Sequence, residues 1–502
     1  MSSIRRQSII SSVVIYIGFA VGLLNTYLFT KEGNFDKAEY GLTTIFIAIA
    51  VLMNGLTTLG MPAYITKFFP YYKDHLPPKK NDMLSLALLV SIVGFLVIMT
   101  LGIVLKSLVI QKFGANAPLL VTYYYWVFPF GLGLIIFTIL EAYTWNLGKP
   151  VVTNFFKEVA WRLFITVIIV FFIMGVIKDF DTFIKLFSFT FPAIAIGLLF
   201  YLLITKKIHF TFKLSKVTRR YSRKIILLCS FFYGAVLLQA LSKVFDSFVI
   251  ASKLEDGLDK AGIFALATIV TSIMLAPQRG IITASMPRLS RAWKEKDMSM
   301  LQKVYQRSSI NQLLFACAIF LLIWLNFTDA VITFGLKPDY LDAAPVFFIL
   351  GISVIIDMGT GVNAQIISTS VFWRFELISG VILIAIMLPL TYILTVQLGI
   401  IGPAYGTLIS MAIYNSIRII FLRNKFNLFP LTIQSLYTVL LAAACYGICY
   451  FACRDMSGIA GMLVRSIAFI LLYGLGAVFM KLSPDIQPVL QAIKKRLRIK
   501  TN

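Results

Sequence analysis

The chain reads as an all-α polytopic membrane protein of about fourteen transmembrane helices. Three observations predict this. Apolar runs long enough to cross a bilayer fill 502 residues almost without interruption. Hydrophobic residues make up 59% and charged residues only 14%, far from the balance of a soluble protein of this length. Lysine and arginine alternate in density from loop to loop, as the positive-inside rule requires of a multi-pass chain.

The spans fall at about 8–30, 41–60, 83–105, 119–140, 159–177, 183–204, 225–251, 261–281, 308–332, 344–366, 376–397, 399–421, 431–452 and 459–482. Arg5 and Arg6 followed by an apolar run resemble a signal peptide, but the run to Thr30 is too long for one and has no small-residue cleavage site after it. It is therefore expected to be an uncleaved first span. Only nine of the 46 lysines and arginines lie in the odd-numbered loops. An even number of spans with both termini cytoplasmic follows from that bias.

The largest basic block, Lys206 to Lys224, sits between spans six and seven. It suggests two lobes, and a repeat supports them. Asp36-Lys37-Ala38 opens span two and Asp259-Lys260-Ala261 opens span eight. Met61-Pro62 and Met286-Pro287 are expected to end those spans, each leading into a basic stretch (AYITKFFPYYKD and RLSRAWKEKD). Pro62 and Pro287 are 225 residues apart, as are Lys149 and Arg374. Six spans per copy give both lobes the same orientation, hence parallel repeats. The expected organisation is an N-lobe at 1–204, a basic cytoplasmic linker at 205–224, a C-lobe at 225–424, two further spans at 425–482 and a basic cytoplasmic tail at 483–502.

Net charge of +24 invites a nucleic-acid reading. No basic face is interleaved with stacking aromatics outside the spans, so nucleic acid is not an expected partner. Membrane lipids are, because a basic inner surface attracts anionic headgroups. Cys445, Cys449 and Cys453 recur every four residues on one helix face, which suits small packing residues better than a disulfide. His75 and His209 lie in basic loops without the partners of a metal site, so no metal or cofactor is expected.

Charged side chains inside spans are costly and tend to face a cavity. Gln239, Lys243 and Asp246 share one face of span seven, giving either a polar cavity wall or an internal Lys–Asp pair. Arg279 follows Pro277 near the inner end of span eight; its guanidinium suits phosphate, or else snorkels to the surface. Asp357 stands near the centre of span ten, with ion coupling or a structural hydrogen bond as its two readings. Glu141, Lys149, Lys157, Glu158 and Arg162 gather at the inner ends of spans four and five, where they read as solvated charges. Arg465 reads as a snorkelling residue of span fourteen. There is no Walker loop, and Asp179-Phe180-Asp181 has no room around it for a glycosyltransferase site.

The six-plus-six-plus-two plan, with the phrases LTTLGMPAYITKFFPYYKD after span two and QLGIIGPAYGTLIS entering span twelve, resembles the polysaccharide-export branch of the multidrug/oligosaccharidyl-lipid/polysaccharide flippase superfamily. The resemblance implies a non-enzymatic flippase of the bacterial inner membrane. Its expected substrate is a polyprenyl-diphosphate-linked glycan, an O-antigen, capsule or exopolysaccharide repeat unit, moved by alternating access. Polysaccharide polymerases and glycosyltransferases are implied as partners. By position Arg279 and Lys243 are the best matches to basic cavity residues holding the diphosphate, while the first span offers Asn25 where an arginine is expected. An ion-coupled multidrug antiporter of the same fold is the alternative. A membrane polysaccharide polymerase or ligase would need a larger outer loop than this chain has.

Overall fold

A computed structural model describes residues 3–211 and 213–485. The basic tail at Lys494–Lys500 lies outside the described residues. The chain forms two compact units, 1–262 and 263–502.

The first unit contains α1 (Ser3–Thr30), α2 (Lys37–Thr57), α3 (Met61–His75), α4 (Met83–Val104), α5 (Lys106–Phe113), α6 (Pro118–Thr122), α7 (Val127–Asn146), α8 (Pro150–Asn154), α9 (Trp161–Ile173), α10 (Phe180–Ser188), α11 (Thr190–Ile204) and α12 (Lys216–Lys253). The second begins within α13 (Gly257–Ser272) and continues with α14 (Ala276–Glu295), α15 (Met298–Thr333), α16 (Ala343–Gly359), α17 (Asn363–Thr369), α18 (Trp373–Leu398), α19 (Gly402–Phe426), α20 (Ile433–Ala452) and α21 (Gly458–Phe479). No β-strand occurs among the described residues, as an all-α chain requires.

Twelve segments of the described residues are long and apolar enough to cross a membrane. One of them, Arg374–Phe426, holds two helices, α18 and α19, parted by the short turn Gly399–Ile401. Gly399 takes φ of +66° there, a conformation that glycine adopts freely. The helix from Pro150 to Ile173 is continuous but not regular: residues Phe155–Ala160 form a π-helical turn between α8 and α9. The outer faces are apolar. On α4, Leu89, Val93, Leu96, Val97 and Leu101 are all exposed, as lipid-facing side chains must be.

Local chemistry sets the helix starts. Asp36 and Glu39 form a reciprocal capping box at α2. Ser215 Oγ accepts from Thr218 N at the start of α12, and Asp297 Oδ1 from Met300 N at the start of α15. The two Met-Pro copies differ. Leu59 and Gly60 take φ of 45° and 76°, which stops α2 so that Met61-Pro62 opens the separate helix α3. The second copy has Ala284-Ser285 in their place, and α14 runs straight through Pro287. The expectation that both prolines end a helix therefore holds for the first copy only.

Two buried clusters anchor the second unit. One joins Leu289 and Ala292 of α14, Leu301, Val304 and Tyr305 of α15, and Ile366 of α17. The other joins Cys317 of α15 to Cys445 and Cys449 of α20 and Phe469 and Tyr473 of α21. All five cysteines are free and buried, and these three pack as small apolar side chains.

Candidate functional site

Each unit buries a polar cluster among its membrane helices. In the first, α1 packs against the π-helical turn and α9. It comes close because Gly18 faces the turn: a Cβ there would stand 2.4 Å from the Glu158 carbonyl oxygen. Gly22, one turn on, lies under the Arg162 side chain. Asn25, the next residue on that face, is buried and uses both ends of its amide. Its Nδ2 donates to the Arg162 carbonyl at 2.8 Å, and its Oδ1 accepts from Thr166 Oγ1 at 2.6 Å. Asn25 thus ties span one to span five.

The charges around it are paired. Arg162 Nη1 meets Glu158 Oε2 at 2.9 Å, one helical turn apart. Lys157 Nζ meets Glu141 Oε2 at 3.0 Å. Glu141 is only 6% exposed, well inside α7. Four of the five charges read from sequence as a solvated group therefore form two ion pairs, one carboxylate of which is fully buried. A π-helical turn carries one residue more per hydrogen-bonded ring than an α-helix and often marks a functional segment. Here it carries Lys157 and Glu158 together.

Gln239, Lys243 and Asp246 belong to α12, which packs along α2 and α3. Gln239 and Lys243 are exposed and Asp246 is half-buried. Arg279 lies in the first turn of α14 in the second unit, exposed, its carbonyl accepting from Thr283 Oγ1.

The second unit holds the larger cluster. Asp357 of α16 is half-buried and accepts two amide hydrogen bonds: from Gln278 of α14 at 3.2 Å and from Asn415 of α19 at 3.1 Å. Asn415 Oδ1 in turn accepts from Thr360 Oγ1 and Asn363 Nδ2. Arg418, one turn beyond Asn415, reaches Asn363 Oδ1 at 3.4 Å and forms an ion pair with Glu376 of α18. Its guanidinium carbon sits 3.8 Å from the centre of the Tyr414 ring. Arg418 is 3% exposed, and both its Nε and the second Glu376 oxygen, Oε2, are buried without a hydrogen-bond partner.

Sequence reading missed Arg418, Glu376 and Asn415. Arg418 lies near the end of span twelve and passes for a loop charge. A usable signal existed: a glutamate opens span eleven and an arginine closes span twelve, and a three-residue turn between the spans brings those two ends together.

An apolar groove of about 510 Å³ runs between α15 and α21. Leu314, Phe315, Ala318 and Leu322 line one wall, Phe469, Ile470, Gly474 and Val478 the other, and Ile281 of α14 reaches in. Asn311 and Asp485 close one end with a 2.7 Å hydrogen bond. Arg465 pairs with Asp329 across the same two helices, so it is held in protein contact and does not snorkel.

A family model described as polysaccharide biosynthesis protein matches residues 4–293. No curated protein matches the chain in sequence. A solved structure of the lipid II flippase MurJ in an inward closed conformation is similar over 94% of this chain and 99% of its own, with a TM-score of 0.74 at 15% identity. An inward-facing multidrug resistance MATE family transporter of the MOP superfamily is similar over 83% of this chain and 98% of its own, with a TM-score of 0.65 at 14% identity. A MOP superfamily transporter from Pyrococcus furiosus, whose binding pocket is described as reversed in polarity, covers 84% of this chain and 95% of its own, at a TM-score of 0.56 and 15% identity. Such identities speak for the fold. The chain belongs to the polysaccharide biosynthesis protein family and has the fold of the MOP superfamily of flippases and transporters.

Proposed function

We propose that this protein flips a polyprenyl-diphosphate-linked oligosaccharide across the bacterial inner membrane by alternating access, without catalysing a reaction. The observation that carries the reading is the family match, which names polysaccharide biosynthesis, on a chain built of membrane helices. The physics is consistent. A diphosphate-sugar head cannot enter hydrocarbon uncompensated, so its route must supply cations and hydrogen bonds. Lys243 and Arg279 are both exposed and suited to a diphosphate, Arg279 by bidentate hydrogen bonding. Gln239 and Asp246 extend the polar face of α12. Asn25 acts in this reading as a brace of the first unit.

The polyprenyl tail needs an apolar path, and the groove between α15 and α21 is of that character. Asp357 is assigned the coupling role: a carboxylate held by two amides, Gln278 and Asn415, stays open to a proton or a monovalent cation. Polysaccharide polymerases and glycosyltransferases are the partners such a substrate calls for. The glycan it carries is an O-antigen, capsule or exopolysaccharide repeat unit, all of which share the diphosphate that the cations would hold.

The test is transport in proteoliposomes with a fluorescent polyprenyl-diphosphate oligosaccharide and, separately, a cationic dye. Glycolipid movement that falls with Arg279→Ala and Lys243→Ala is the expected result. Dye export without glycolipid movement would replace this reading with that of an antiporter, for which the carboxylates Asp246 and Asp357 speak.

A further inference from the structure

One basic cavity of the first unit lies apart from all the groups above. It measures about 330 Å³ and is lined by the C-terminal turns of α3 (Phe69, Lys73) and α7 (Tyr143, Asn146), by Asn81, and by Lys207 and His209 at the start of the segment joining α11 to α12. No carboxylate lines it. Among the described residues none of Lys73, Lys207 and His209 has an acidic partner. Asn81 Oδ1 accepts from Met83 N, which leaves its Nδ2 as a donor without a protein partner. The floor is firm: Phe69 and Tyr143 meet edge-to-face with ring centres 5.6 Å apart.

Cations near helix C-termini are expected from the dipole alone. That accounts for Lys73, in the last turn of α3. It also favours Lys207, which follows the C-cap of α11, but it does not account for His209, nor for the meeting of two helix ends from separate parts of the chain. Lys207 and His209 are held at the cavity by structure. Ile208 between them is buried, Thr211 N donates to Ser85 Oγ at 3.1 Å, and Ser215 N donates to Asp82 Oδ2 at 2.9 Å. Three nitrogen-bearing basic groups and a spare amide donor therefore converge on one concave space with no negative charge of its own.

We propose that this cavity binds a single phosphate group, of an anionic headgroup or of a soluble phosphate, bridging Lys73 of α3 to Lys207 and His209 of the connecting segment. The chemistry is that of a lipid phosphate at the membrane surface or of a soluble phosphate. The inference does not depend on which substrate is transported.

The experiment uses the full-length protein in neutral detergent. Native mass spectrometry measures retention of dioleoylphosphatidylglycerol against dioleoylphosphatidylcholine, and equilibrium binding of radiolabelled pyrophosphate is measured in parallel. The variant is Lys73→Gln with Lys207→Gln. The comparison is Lys79→Gln with Lys80→Gln, an equal charge change on an exposed turn outside the cavity. Retention of phosphatidylglycerol should fall at least about tenfold in the cavity variant, the size expected when two charge-assisted hydrogen bonds are lost, and stay unchanged in the comparison. Lipid retention without pyrophosphate binding identifies a headgroup as the source; pyrophosphate binding lost in the same variant identifies soluble phosphate. Equal losses in both variants, or no preference for phosphatidylglycerol over phosphatidylcholine together with no pyrophosphate binding, would overturn the proposal.

Discussion

Lys37 Nζ lies 3.6 Å from Asp259 Oδ2, so the lysine of one Asp-Lys-Ala phrase pairs with the aspartate of the other. The two phrases recognised as a repeat in sequence thus meet in space, where α2 and α13 begin. Small residues allow it. A Cβ on Gly41 would stand 1.8 Å from the Leu258 carbonyl oxygen, and one on Gly262 would stand 2.9 Å from that of Lys37.

Gly41→Val should therefore destabilise the protein by about 1–3 kcal/mol, the usual range for overpacking a tight contact. Gly280→Ala on α14, where nothing lies within 4 Å of the added methyl, should be neutral or slightly stabilising. Thermal unfolding in detergent distinguishes the two; equal shifts would mean that the α2 contact tolerates a side chain.

Arg418→Met leaves Glu376 without its cation and should cost about 3 kcal/mol, the low end for breaking a buried pair, because the Glu376 side chain keeps 26% exposure. Arg418→Met with Glu376→Met should recover most of that loss. A double-mutant cycle of unfolding measures the coupling, and strict additivity of the two changes would show that the pair contributes nothing as a pair.

Asp357→Asn preserves size and still offers an oxygen to Gln278 or Asn415. Folding should survive with a shift of less than about 1.5 kcal/mol, the net worth of a typical hydrogen bond. Transport that depended on a proton or sodium gradient should become gradient-independent or stop. Unchanged gradient dependence in proteoliposomes would remove Asp357 from the coupling role.

A hydrogen-bonded chain links α3 to Asp82 and the start of α12 in the first unit. Asp82 Oδ2 accepts from Thr218 Oγ1 at 2.7 Å, so the Thr218 proton is committed, and Tyr72 must donate to Thr218 at 2.6 Å and Tyr64 to Tyr72 at 2.7 Å. Burial raises both phenols above their ordinary value. Their native protonation then costs nothing below about pH 10, the unfolded value, and stability declines as pH rises past it. Tyr72→Phe with Tyr64→Phe should flatten that alkaline decline in an unfolding midpoint measured against pH. Thr218→Val should cost about 1–3 kcal/mol at neutral pH, since it removes one of the two hydrogen bonds to the buried Asp82 Oδ2 and takes Thr218 away as acceptor from the buried Tyr72 hydroxyl.

Much of the fold was legible because lipid imposes a length and a polarity on every crossing segment. Asp357, near the middle of its span, stood out for the same reason. Arg162 and Arg418 did not. Each sits in a helix that continues past its apolar run, α8 to α9 from Pro150 and α19 to Phe426, so each looked like a loop charge while being enclosed by neighbouring helices. Asn25 was legible as an anomaly in span one, but its partner was not, because Arg162 engages it through a backbone carbonyl. The contrast between the stop before Pro62 and the continuation through Pro287 turned on the glycine at position 60, which the second copy lacks.

The π-helical turn at Phe155–Ala160 makes the fifth crossing segment a splice of two phases. Successive residues of an α-helix advance by about 100°, but the wider ring of the π-turn takes up its extra residue locally, so the helix beyond keeps its face while the sequence pattern slips by one. Arg162 and Thr166 therefore face Asn25 one residue later in the sequence than a regular helix counted from Pro150 would put them. The segment thus holds one residue more than its span in space requires, and a chain one residue shorter at this turn would present the same face to α1.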